Sequence, residues 1–248
     1  MTELSAGEKL YSFRAQQENF IDNSFDPIIS YGIHAAINHY SATPETDIAI
    51  EPGNFLLADT GGHYYEGTTD TTRTIVMGSV NDEQKKYFTA VLRGMLNLGN
   101  AKFRYGCTGV NLDYLARGPL WEMGQDFNHG TGHGVGYLLN VHEGPNAFRW
   151  KQSPSLSNAL LEPGMVTTDE PGLYLTGKFG IRLENELVCK KLTDNEYGTF
   201  LGFEILTMIP FDLDAILPEE MSEEERQWLN EYHQKVYEIV AESLPEEE

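Results

Sequence analysis

Apolar residues recur at helical spacing in several stretches of the chain, separated by short β-branched runs. Ser5 and Glu8 form a capping-box pattern ahead of a helix reaching about Phe20. Asn81 or Asp82 can cap a long helix carrying Phe88, Val91, Leu92, Met95 and Leu98 on one face. A further helix from about Asn111 buries Leu112, Leu115 and Leu120 and stops at Gly124. The last opens at a capping box, Ser222 to Glu225, with Trp228, Leu229, Tyr232, Val236, Ile239 and Val240 on one face. Ile28–Tyr40 is mixed, with Gly32 breaking it into short strands around a turn. Phe55–Ala58 reads as a buried strand followed by a turn at Gly61-Gly62 and a second strand over Thr68–Val76. Met165–Thr168, a turn at Pro171-Gly172 and a strand over Ile181–Val188 repeat that vocabulary. Short turns between paired strands favour antiparallel hairpins, so the expected class is α+β. No low-complexity linker divides residues 1–248, which read as one domain of two related halves.

Composition narrows the partners. The 248 residues are 40% hydrophobic, enough to bury a sizeable core. Seventeen basic residues against 38 acidic ones give a net charge of −21, which argues against nucleic acid and anionic membrane surfaces, since both recruit basic patches. Part of the acidity is local, at Glu219-Glu220, Glu223–Glu225 and Glu246–Glu248, and reads as a solvated helix start and tail. Two cysteines, Cys107 and Cys189, without CxxC spacing argue against a disulfide framework and a thiolate zinc site, and fit a cytoplasmic location. No signal peptide or membrane span is expected.

The candidate chemistry comes from a repeated tripeptide. Glu51-Pro52-Gly53 and Glu162-Pro163-Gly164 are each followed by an acid at the eighth position after the glutamate, Asp59 and Glu170. A second acid follows each, Asp70 eleven residues on and Glu184 fourteen residues on. Singly, acids near turns are usually solvent-exposed caps. As two pairs on two hairpins they point inward, and facing carboxylates are costly unless cations sit between them. Two divalent cations about 3.5–4 Å apart resolve that repulsion. His133, within His129-Gly-Thr-Gly-His133, is the expected nitrogen ligand, with glycines at 130, 132, 134 and 136 allowing close backbone approach. Such an oxygen-rich set leans toward manganese, iron or cobalt. Arg182, two residues before Glu184 and so on the same strand face, can orient a carboxylate, and Tyr174 can donate into the same cavity. Metal-assisted hydrolysis is the leading expectation.

The segment from Asp59 to Thr74, DTGGHYYEGTTDTTRT, resembles the metal-binding signature of the pita-bread metallopeptidases. The run from His129 to Pro145, HGTGHGVGYLLNVHEGP, with its histidines at 133 and 142 nine apart, is similar to three-domain, cytosolic-type Xaa-Pro aminopeptidases. Asp169–Gly172 and Arg182–Asn185 resemble the remaining ligand motifs, and the likeness runs from about Ser5 to His233. The resemblance implies a pita-bread fold of two pseudo-symmetric halves, with about 200–248 as a C-terminal extension and two upstream domains of the relatives absent. It implies Asp59 on one cation, Asp70 and Glu184 bridging both, and His133 and Glu170 on the other. It places His39 in the substrate pocket, sets His129 and His142 against the scissile peptide, and makes Glu170 a proton relay. The implied reaction removes the residue before proline by a metal-bridging hydroxide, with Mn2+ expected and Co2+, Fe2+ or Zn2+ admitted. Peptides with an Xaa-Pro N-terminus are the implied partners, and a homodimer stays open. A prolidase acting on Xaa-Pro dipeptides, or a pita-bread module that binds without catalysis, are the alternatives.

Overall fold

The computed structural model describes residues 1–138, 140–152 and 158–244; Leu139 in the histidine run and the acidic tail Glu246–Glu248 lie outside them. In chain order the elements are α1 (Glu3–Arg14), β1 (Phe20–Asn23), β2 (Ile28–Tyr31), β3 (Asn54–Thr60), β4 (Gly62–Tyr64), β5 (Gly67–Thr68) and β6 (Thr71–Met77). Then come α2 (Asp82–Gly99), β7 (Phe103–Arg104), α3 (Gly109–Glu122), β8 (Gly132–Val135) and β9 (His142–Phe148). The remainder is β10 (Val166–Asp169), β11 (Gly172–Leu175), β12 (Phe179–Arg182), β13 (Asn185–Asn195), β14 (Gly198–Ile205) and α4 (Glu223–Val240). The named strand pairs are all antiparallel, as the short turns lead one to expect. No helix among the described residues is long and apolar enough to cross a membrane.

Two three-stranded sheets, β2-β3-β6 and β1-β4-β5, occupy the first half. A six-stranded sheet in the order β7-β14-β13-β10-β8-β9 occupies the second, with the β11-β12 hairpin continuing from it. The halves meet through threonines. In Thr71-Thr72-Arg73-Thr74 successive side chains alternate between faces, so Thr72 and Thr74 turn the same way. Thr72 Oγ1 donates to Glu184 Oε2 at 2.8 Å, and Thr74 Oγ1 donates to the Arg182 carbonyl at 2.9 Å. Arg73 faces the other way and is almost fully buried. It donates to Asn185 Oδ1, the Ile209 carbonyl and the Tyr232 hydroxyl at 2.7, 2.7 and 2.9 Å, and lies over the Phe211 ring at 4.2 Å. One guanidinium thus ties the segment around 209–211 and α4 to the strand that follows Asp70.

Several elements differ from the sequence expectation, each for a local reason. Helix α1 starts earlier and ends at Arg14: Thr2 is its N-cap, the reciprocal partner is Ser5 rather than Glu8, and Phe20 pairs with Tyr64 in a sheet instead. Ile28–Tyr40 holds one strand and a 3-10 turn over Gly32–Ala36, because Gly32 takes φ 56°, where side chains are strained. The strand expected over Thr68–Val76 begins at Thr71, while Gly67-Thr68 pairs separately with β4. Pro171-Gly172 is not the turn; the chain runs on to Leu175 and reverses at Gly177, φ 73°. Proline has no N–H to give a ladder, so β10 stops at Asp169, and the facing strand over Ile181–Val188 is split, leaving Leu183 and Glu184 outside both pieces.

Helices α2 and α4 follow their periodicity. Asn81 and Gln84 complete the capping box of α2, whose Phe88, Val91, Leu92, Met95 and Leu98 are buried. Ser222 and Glu225 cap α4, which buries Leu229, Tyr232 and Val236 but leaves Ile239 exposed. Helix α3 begins at Gly109, capped by Thr108. The core joins Phe55, Phe88, Phe179, Ile181 and Leu183 across both halves. Phe88 is fully buried with its ring 6.0 Å from that of Phe55. Phe88→Ala is expected to lower unfolding free energy by about 3–5 kcal/mol. Urea denaturation checks this, and a loss below about 1 kcal/mol would show that the cluster collapses around the gap.

Candidate metal centre

Each acid pair comes from one hairpin. Asp59 faces Thr72 across the β3–β6 ladder. Asp70 precedes Thr72 by two residues and so shares its face. In the second half Asp169 faces Asn185, which brings Glu170 level with Glu184 just beyond the ladder. Backbone cross-links set the depth: the Glu184 N–H donates to the Thr72 carbonyl of the first hairpin at 3.0 Å, and the Glu170 N–H to the Thr131 carbonyl of the histidine run at 2.8 Å. All four acids and His133 line one cavity of about 290 Å³, together with His39, His129, His142 and Arg182.

Three sets of ligating atoms lie within 4.8 Å of one another: Asp59, Asp70 and Glu184; His133, Glu170 and Glu184; and Asp70, His133 and His142. Glu184, Asp70 and His133 each belong to two sets. His133 Nε2 lies 3.3 Å from Asp70 and 3.4 Å from Glu170. His142 joins the third set, its ring centroid 4.2 Å from that of His133.

The electrostatics ask for cations. Burial, with Asp70, Glu170 and Asp59 close by, pushes the Glu184 carboxyl well above the usual range. Burial likewise lifts Glu170 to about 7, against the pull of His133 and Arg182. Asp59 is raised by burial although Arg182 opposes it, and its buried Oδ1 has no hydrogen-bond partner among the described residues. Four converging carboxyl groups, three of them held above their usual range, beside an imidazole, form a donor set that fits a pair of hard divalent cations.

Arg182 serves a different acid from the one its spacing suggests. Its guanidinium donates to Asp59 Oδ2 at 2.6 Å and to the Tyr174 hydroxyl at 2.7 Å, not to Glu184. Tyr174 stands behind the cavity: its hydroxyl accepts from Arg182 and meets His129 Nε2 at 2.9 Å. His129 Nδ1 lies 2.7 Å from the Gly130 carbonyl, which can only accept, so the ring is held as the Nδ1–H tautomer with Nε2 receiving the Tyr174 O–H. Burial and the nearby Arg182 charge drop the His129 pKa to about 3, keeping it neutral.

The glycines of the histidine run serve sheet packing more than ligand approach. A Cβ at Gly132 would run into the Thr168 carbonyl, and one at Gly134 into the Glu143 carbonyl. Gly130 is roomier, its nearest neighbour the Arg149 guanidinium at 3.3 Å. Arg149, Asn38, Phe25 and Ile28 also line the cavity. Nothing in the sequence reading marked them; only Asn38, adjacent to His39, carried a positional hint. Glu186 was missed too, although it lies two residues beyond Glu184: it is buried and pushed up to about 8 by burial and the Asp70 charge. His34 pairs with Glu3, His63 meets Thr68, and His233 accepts from the Phe211 N–H, so all three have partners.

Metallopeptidase family M24 matches residues 1–191, and the C-terminal region of the same family matches 199–248; the chain belongs to this family. Aminopeptidase P1 of Arabidopsis thaliana is 45% identical over 244 residues, covering 97% of this chain and 38% of that protein. A probable Xaa-Pro aminopeptidase P of Arthroderma otae is 45% identical over 96% of this chain and 38% of its own length. The chain therefore spans less than two fifths of these relatives. The X-prolyl aminopeptidase of Caenorhabditis elegans, described as a cytosolic enzyme with a di-nuclear active site, superposes with TM-score 0.91 at 38% identity, covering 98% of this chain and 39% of that one. Prolidase from Pyrococcus furiosus superposes with TM-score 0.69 at 32% identity, over 83% and 55% respectively. The architecture is the α+β pita-bread fold, with antiparallel sheets and flanking helices.

Proposed function

We propose that residues 1–248 form the catalytic unit of an Xaa-Pro aminopeptidase, which removes the N-terminal residue from peptides with proline second. The observation that carries this reading is the pair of overlapping ligand sets sharing Glu184, in a cavity also lined by His39, His129 and His142. Asp59 would hold one cation, Asp70 and Glu184 both, and His133 and Glu170 the other, with manganese the proposed ion. When bound, the cations supply Lewis acidity and an activated water. The protein's own groups do the rest. Arg182 fixes Asp59 Oδ2 and, through Tyr174, the His129 ring. Glu170 would hold a proton and deliver it to the departing proline nitrogen. His142, exposed and lining the cavity, would hydrogen-bond the scissile carbonyl. The acidic lining suits a free α-amino group.

Prolidase activity is the second reading, supported by the Pyrococcus likeness. The higher TM-score and coverage of the Caenorhabditis enzyme favour the aminopeptidase. A binding module without catalysis is disfavoured because all five proposed ligands are present. Metal analysis of protein purified without chelator tests the core of the reading: two equivalents of divalent cation support it, and none would return the binding module to the front.

A pH dependence follows from Glu170. Its folded pKa of about 7 exceeds the ordinary 4.5, so in the cation-free protein its contribution to stability is present at low pH and lost as pH rises through about 7. Cations remove that penalty and compete with the proton. Added Mn2+ is expected to raise Tm more at pH 8 than at pH 5.5. Scanning calorimetry showing equal shifts at both values would contradict it.

A further inference from the structure

Helix α3 contributes no residue to the cavity lining among the described residues, yet it carries a fully buried ion pair aimed at it. Arg117 and Asp113 are both wholly inaccessible, one helical turn apart, with Nε 2.7 Å from Asp113 Oδ2. The rest of the guanidinium is spent on one short loop. It donates to Asp126 Oδ1 and the Phe127 carbonyl at 2.6 Å each, and to the His129 carbonyl at 2.8 Å, while stacking over the Phe127 ring at 3.8 Å. The other oxygen of Asp113 accepts from Thr131 Oγ1 at 2.5 Å, and the Thr131 carbonyl accepts the Glu170 N–H.

A buried ion pair is weak evidence for stability, because desolvation consumes much of its attraction. What this one does supply is geometry: a rigid fork with its donors in fixed directions. We infer that Arg117 and Asp113 are positioning residues, which hold the His129 backbone and the Glu170 N–H in register across the cavity. Arg117 fixes the His129 main chain while Tyr174 and the Gly130 carbonyl fix its ring. Asp113 extends the same anchor through Thr131 to Glu170. For catalysis this rests on the proposed function, in which His129 and Glu170 act; the placement itself does not.

Arg117→Lys keeps the charge but loses the fork. Two measurements on the full chain test the inference. In cation-free protein, imidazole 15N shifts should report His129 as the Nδ1–H tautomer in the parent and as a mixture of tautomers in Arg117→Lys. With Xaa-Pro-Yaa peptides and Mn2+, kcat should fall by about 10- to 100-fold while KM and the affinities for both cations stay within about twofold. Thr131→Val, nearly isosteric, covers the case in which Arg117→Lys does not fold. It should leave the His129 tautomer intact and weaken one of the two cations, the one assigned to Glu170. An unchanged tautomer with unchanged kcat and a lowered Tm in Arg117→Lys, or two unaltered cation sites in Thr131→Val, would make the pair merely structural and overturn the inference. If the parent cleaves no Xaa-Pro peptide, the functional reading fails, and the tautomer and cation measurements still decide the positioning.

Discussion

Glu184→Ala is expected to abolish peptide hydrolysis and weaken both cation sites together. Glu184 belongs to both principal ligand sets, and its carboxyl is fully buried between Asp70, Glu170 and Asp59. A carboxylate shared by two cations neutralises both, so its loss leaves each under-coordinated. The acceptor of the Thr72 hydroxyl also disappears. Asp70→Ala should behave similarly, whereas His133→Ala should disturb mainly the cation shared with Glu170. Isothermal titration with Mn2+ separates these cases. Two intact sites in Glu184→Ala would refute the bridging assignment, whatever happened to activity. The expected loss is about 10³-fold or more in kcat/KM, since it removes charge neutralisation at both cations rather than one hydrogen bond.

The second large effect concerns the residue after the scissile bond. Proline there makes the scissile nitrogen tertiary, with no N–H to donate. A site that accepted that N–H would leave a buried acceptor unpaired with proline and so discriminate against it. Phe25, Ile28, Gly130 and Gly132 line the cavity together with His39, which suits an apolar ring. Hydrolysis of Xaa-Pro-Yaa peptides with manganese or cobalt is therefore expected, with slow turnover of Xaa-Pro dipeptides and none of Xaa-Ala-Yaa at equal concentration. The comparison is made between substrates on one metal-loaded sample. Faster cleavage of Met-Ala-Yaa than of Arg-Pro-Yaa would end the Xaa-Pro reading and leave the metal site standing.

The parts of the site legible in the sequence were those marked by residue type and repetition. Two carboxylate pairs at repeated offsets from Glu-Pro-Gly, and a histidine cluster between them, point to a cation pair because buried acids demand compensation wherever they converge. Capped, periodic helices such as α2 and α4 were legible too, since capping and amphipathic spacing act within a turn or two of chain. The tertiary structure decided what depends on which strands meet. Arg182 turned to Asp59 because packing of the β11-β12 hairpin against β3 and β6 brings that acid, 123 residues away, within 2.6 Å. Phe20 left its helical context for a strand because Tyr64 offered a partner. Arg149 entered the cavity and Arg117 reached the His129 loop through contacts with no local signature. Local interactions set by spacing are written in the chain. Ion pairs and cavity walls form between residues far apart in sequence, and only the fold says which of the available partners are brought within reach.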